Sequence, residues 1–133
     1  MLAGRLDADA DFRTPLIPLH SDSEPADILL KPEVLQPIGA FKLRGALNAV
    51  SRLPGGTTGV TCCSTGNHGR GVAHAARARG MRAVICMSEL VPRAKVEGIR
   101  ALGAEVRIAG RVRIEDMESM AKNPEGDGTR APE

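Results

Sequence analysis

The chain has 133 residues, 42% hydrophobic and 26% charged, a composition that suits one folded domain and excludes a disordered polymer. Its 18 basic and 16 acidic side chains nearly cancel, and with no Trp or Tyr no aromatic ladder interleaves with the basic residues, so a nucleic-acid partner is not expected. Three cysteines, two of them adjacent, make no disulfide framework and fit a reducing cytoplasm, while no stretch reads as a signal peptide or a membrane span.

Residues 1–26, with TPLIPLHSDSEPAD, read as extended chain and turns. A short strand is predicted at 27–31 (DILLK), then a loop at 32–40 that holds two prolines and a glycine. A helix is predicted at about 41–53, because Leu43, Ala46, Leu47, Val50 and Leu53 recur at spacings of three and four. Pro54-Gly55-Gly56 stops it. Next come a strand at 59–63, an Ala-rich helix at 68–80 ending on Gly80, a strand at 82–87, a helix at 92–103 and a strand at 104–109. Alternation of this kind with short connections means an α/β fold: an open parallel sheet with flanking helices and right-handed crossovers. Region 27–110 is thus expected to be the α/β unit. In the divergent tail, 111–133, RVRIEDMESMAK fits an amphipathic helix and NPEGDGTRAPE fits disorder.

Two places can carry chemistry. Lys42 stands where the Pro/Gly loop meets a helix start, among Ile38, Ala40, Phe41 and Leu43. Desolvation there would favour a free amine, which can form a Schiff base; from the local text alone an ordinary surface lysine is the better account. The second place is the turn Ser64-Thr65-Gly66-Asn67-His68-Gly69 between a strand and a helix. Ligands sit at the carboxyl ends of parallel strands, and helix N-termini attract anions, so this turn suits a carboxylate or phosphate; a capped helix start explains it too. The turn is neither a P-loop nor a dinucleotide fingerprint. Cys62, Cys63, His68, His74 and Cys86 match no metal-ligand spacing, so no metal is expected.

Together the two places resemble a known family. Gly39-Ala40-Phe41-Lys42-Leu43-Arg44-Gly45-Ala46 is similar to the lysine motif of fold-type II pyridoxal-phosphate (PLP) enzymes, and Ser64–Gly69 to their S-[ST]-G-N-H-G loop. Thr14-Pro15-Leu16, Leu30-Lys31-Pro32-Glu33, Pro92-x-x-Lys95-Val96 and Leu102–Val106 follow the same order and spacing, so the resemblance covers about residues 14–110. It is nearest the threonine dehydratase and serine racemase relatives, and within them the hydroxyectoine-utilisation dehydratase branch. It implies the N-terminal part of a tryptophan-synthase-β-like fold and an ammonia-lyase acting on a small hydroxy amino acid. Lys42 would hold PLP as a Schiff base and move the Cα proton. Phe41 would pack by the pyridine ring and Asn67 would bond the 3′-oxygen. Ser64, Thr65, Gly66 and His68 would cradle the substrate carboxylate. Thr65 stands where racemases carry a second base, and a threonine there favours elimination. Full-length relatives form homo-oligomers.

Ala40 departs from the motif's usual Ser/Thr, and no GGG run of the family's phosphate loop occurs in the 133 residues. The sequence therefore reads as an N-terminal fragment, truncated or frame-shifted, with little activity alone, or else as a non-catalytic α/β remnant or binding module.

Overall fold

The computed structural model describes residues 13–19 and 28–110. The expected tail helix and disorder at 111–133 lie outside the described residues, as does most of the expected extended segment 1–26. Strand β1 (Ile17–Pro18) pairs antiparallel with β2 (Leu29–Leu30), Ile17 opposite Leu30. This pairing crosses the boundary drawn at 26/27. A short 3-10 turn, Glu33–Leu35, follows inside the expected loop. Gly39 then takes a positive φ of 69°, which turns the chain into helix α1 (Lys42–Ser51).

The rest is the expected alternation, β3 (Gly59–Cys63), α2 (Asn67–Ala78), β4 (Arg82–Met87), α3 (Arg93–Arg100) and β5 (Glu105–Ile108), with β3 and β4 at the expected bounds and the other ends shifted by one to three residues. The strands are parallel, in the order β3-β4-β5. The central strand, β4, is buried from Ala83 through Met87, which explains its unbroken apolar run. Ala83, Ile85 and Met87 project to one face and pack with Val72, Ala73, Ala75 and Ala76 of α2 and Val96 and Ile99 of α3. Both crossover helices therefore lie on that face, as two right-handed crossovers in one direction require. Helix α1 packs on α2 through Ala46 and Val50, and Arg79 ties the two by donating to the Val50 carbonyl.

Helix α2 ends in a Schellman arrangement. Met81 N–H donates to Ala76 O at 2.9 Å and Gly80 N–H to Arg77 O at 3.0 Å, with Gly80 at φ 65°. That tight ending delivers the chain into β4, and so aligns Cys63, at the end of β3, with Cys86. The loop after β3 is thereby placed at the carboxyl edge of the sheet. No helix among the described residues is long and apolar enough to cross a membrane.

Candidate active site

The turn Ser64–Gly66 leaves β3 and enters α2 at its carboxyl edge. Gly66 occupies the N-cap position and has no side chain to cap with. Ser64 does the capping instead: its Oγ accepts from Gly69 N–H at 2.8 Å and from Gly66 N–H at 3.3 Å. Arg70 N–H already reaches Gly66 O at 3.2 Å. The first-turn N–H groups of Asn67 and His68 precede any i−4 helical acceptor, which leaves the end of α2 attractive to an anion. Thr65, Asn67 and His68 are exposed, and Ser64 and Gly66 half-buried.

The two glycines of this turn do different things. A Cβ at Gly66 would meet nothing within 4 Å, so its open face admits a ligand. A Cβ at Gly69 would stand 3.0 Å from Ile85 Cγ2, 3.1 Å from Ser64 Cβ and 3.2 Å from Ile99 Cδ1. Gly69 thus serves packing.

Lys42 is the first residue of α1, and Phe41 is its N-cap. The expected desolvation of Lys42 is corrected here: both residues are exposed, Phe41 at 60%. The reason is helix phase. Ile38, Ala40 and Leu43 turn inward to form their own buried cluster, and the adjacent Lys42 turns outward. Its ammonium lies 5.1 Å from the centroid of the Phe41 ring.

Lys42, Phe41 and His68 line one groove of about 570 Å³, together with Gly45, Ala46 and Val72. So the lysine and one residue of the Ser64–His68 turn share a cavity; Ser64, Thr65, Gly66 and Asn67 do not line it. Its size suits a cofactor.

Sequence reasoning missed the polar wall of this groove. Glu33 receives Arg44 at two points, Nε to Oε2 at 2.7 Å and Nη2 to Oε1 at 2.9 Å. Thr14 Oγ1 donates to Oε1 at 2.6 Å and Gln36 Nε2 to Oε2 at 3.3 Å. Lys31 donates to the Thr14 carbonyl at 3.0 Å and lies 4.0 Å from Glu33. These hydrogen bonds, from Arg44 first and Thr14 next, hold the Glu33 carboxyl at about 2, below its ordinary 4.5. A depressed carboxyl stabilises the fold above pH 4.5 and loses that contribution as pH falls from 4.5 toward 2. Denaturant unfolding of the wild type and Glu33→Gln should therefore differ at neutral pH and converge through that window. A difference constant with pH would contradict it.

Two of the cysteines, Cys62 and Cys86, have their thiols held in the protonated form. Burial pushes the Cys62 thiol up to about 12, and burial also raises that of Cys86. Cys62 packs on the core side of β3. Among the described residues no three His, Cys, Asp or Glu side chains are grouped to hold a metal ion.

A sequence profile of the family described as "Pyridoxal-phosphate dependent enzyme" matches residues 8–129. The chain belongs to this family. The match runs past Gly110, where the legible motifs stop. A putative threonine dehydratase of Sinorhizobium fredii (strain NBRC 101917 / NGR234) is 52% identical over 103 residues, 74% of this chain and 31% of that protein. An L-threo-3-hydroxyaspartate ammonia-lyase of a Pseudomonas species is 41% identical over 90% of this chain and 38% of its own length. Among solved structures, the processed form of threonine deaminase isoform 2 from Solanum lycopersicum superposes with a TM-score of 0.79 at 32% identity, over 87% of this chain and 35% of that one. The chain thus spans little more than a third, or less, of the relatives it matches.

The family's cofactor, PLP, fits the groove chemically. The Lys42 amine and the Phe41 ring answer to its aldehyde and its pyridine ring, and the first turn of α2, which reaches the groove through His68, answers to an anionic group. Lys31 and Arg44, the other cations of the groove, are engaged by Thr14 and Glu33.

Proposed function

We propose that this chain carries the amine-bearing part of a PLP-dependent ammonia-lyase that eliminates water from a small β-hydroxy amino acid, the resulting enamine then hydrolysing to a 2-oxo acid and ammonia. The observation that carries this reading is that Lys42 and His68, from the two motifs, line one groove. PLP, when bound, supplies an electron sink for the substrate's Cα. Lys42 would hold the cofactor's aldehyde, and once the substrate's amino group takes its place there the freed Lys42 amine would take the Cα proton, which leaves with the β-hydroxyl as water. Phe41 would lie against the ring, and Asn67, next to the groove-lining His68 in the first turn of α2, would donate to the ring oxygen. Thr65, Gly66 and His68 orient the substrate carboxylate at the first turn of α2, while Ser64 shapes the turn through its hold on Gly69. Thr65 stands where the resembling racemases carry a second base, and a threonine in that place favours elimination over racemization.

The narrower reading is a dehydratase of hydroxyectoine utilisation, supported by the run GAFKLRGA with Ala40 in place of a hydroxyl residue. A homo-oligomer in the cytoplasm is the setting this reading expects. The exposure of Lys42 favours a second reading, a non-catalytic α/β remnant.

Keto-acid formation separates the two. Supplied with PLP and threonine, serine or threo-3-hydroxyaspartate, the chain should form keto acid slowly but faster than free PLP, and Lys42→Ala should remove the excess. Equal rates for the two proteins would support the non-catalytic reading.

A further inference from the structure

The Lys31-Pro32-Glu33 segment has no part in the roles just assigned, yet it forms one wall of the groove. Helix α1 begins badly. Its N-cap, Phe41, makes no side-chain cap hydrogen bond, and its first turn holds no acidic residue. The Leu43 and Arg44 N–H groups reach back to Ala40 O at 3.4 Å and Phe41 O at 3.1 Å, so backbone i−3 bonds alone hold this start, with no side-chain cap to stop it fraying. Lys42 sits in that first turn, where fraying would let its amine wander.

Two anchors flank it. Leu43 is fully buried against Ile38 and Ala40. Arg44 is gripped at both carboxylate oxygens by Glu33, whose side chain is only 17% exposed. Thr14, thirty positions before Arg44, also accepts from it at 3.2 Å. Two-point ion pairs fix direction as well as distance. The carboxylate also brings negative charge to the first turn of a helix, where the dipole favours it.

We propose that Glu33 is a positioning residue: through Arg44 and Thr14 it stands in for the missing cap of α1 and sets the direction in which Lys42 meets a bound aldehyde. This rests on the reading of Lys42 as the cofactor-holding amine. Glu33 touches no reacting atom. Its effect is on orientation, so it should appear in the rate of bond formation at saturating aldehyde, not in the accessibility of the amine.

The test uses the whole chain, PLP as the probe, and borohydride trapping with peptide mapping. Lys95, exposed on α3, is the internal reference. In the wild type Lys42 should be trapped well ahead of Lys95. Glu33→Gln should lower the saturated trapping rate at Lys42 by about tenfold, the order of loss a small misplacement causes. Labelling at Lys95 should not change, nor should reductive methylation of Lys42 by formaldehyde, which has little orientational demand. Glu33→Asp, which keeps the charge, should recover most of the rate. Should Glu33→Gln lose its helical signal, Arg44→Lys decides: it keeps the charge and loses the two-point grip, so it should show the same selective loss. Unchanged trapping at Lys42 in a folded variant overturns the proposal. Parallel losses at Lys42 by both reagents overturn it too. If the wild type shows no preference for Lys42 over Lys95, the reading of the site itself falls.

Discussion

Gly71→Val should push α1 away from α2 and take Lys42 with it. A Cβ at Gly71 would lie 3.2 Å from Ala46 Cβ, 3.2 Å from the Lys42 carbonyl oxygen and 3.4 Å from its carbonyl carbon. Backbone atoms cannot swing aside as the end of a long side chain can, so the helix must move. Overpacking of this kind costs about 1–3 kcal/mol. Replacing Gly inside a helix returns up to about 1 kcal/mol for Ala and less for Val. Gly71→Ala should therefore come out near neutral, and Gly71→Val destabilised. The larger consequence is at the site: PLP trapping at Lys42 should fall by about tenfold or more in Gly71→Val, since a displacement near 1 Å is enough. Full trapping with an unchanged midpoint of unfolding would show that the two helices are not in contact there.

Ile85→Ala should cause the largest loss of stability. Ile85 is fully buried in the central strand, and it touches the place where a side chain on Gly69 would stand. Removing its branches empties the space beneath the Ser64–Gly69 turn. Truncations of this kind cost about 2–5 kcal/mol. A domain has about 5–15 kcal/mol in all, so the loss is a large share of it. Urea unfolding followed by far-UV circular dichroism measures it. A loss below about 1 kcal/mol, the size of an average substitution, would mean that β4 is not the centre of the core.

Much of this was legible in the sequence because it is periodic or local. The run RAVICM is apolar at every position but the first, as a strand buried on both faces must be. Gly80 marks the end of α2 because only glycine takes φ 65° without cost. Lys42 and the Ser64–Gly69 turn were legible as motifs. The environment of Lys42 was not. Apolar neighbours in sequence suggested desolvation, but Leu43 and Lys42 point about 100° apart around a helix, and only one of them can face the core. Strands of two residues, such as β1 and β2, are too short to show a period, so their pairing across the expected boundary was hidden. The Glu33–Arg44–Thr14 network was hidden for a different reason. With 18 basic and 16 acidic side chains in the chain, nothing in the text says which pairs meet.

Two readings of one residue meet at Lys42. Its place in the groove beside Phe41 and His68 suits a cofactor amine, and its exposure suits a surface lysine. Borohydride trapping of PLP on the intact chain, with peptide mapping of all lysines, separates them. One dominant adduct is expected at Lys42, its absorbance lost in Lys42→Ala. Adducts spread evenly over Lys31, Lys42 and Lys95 would contradict it.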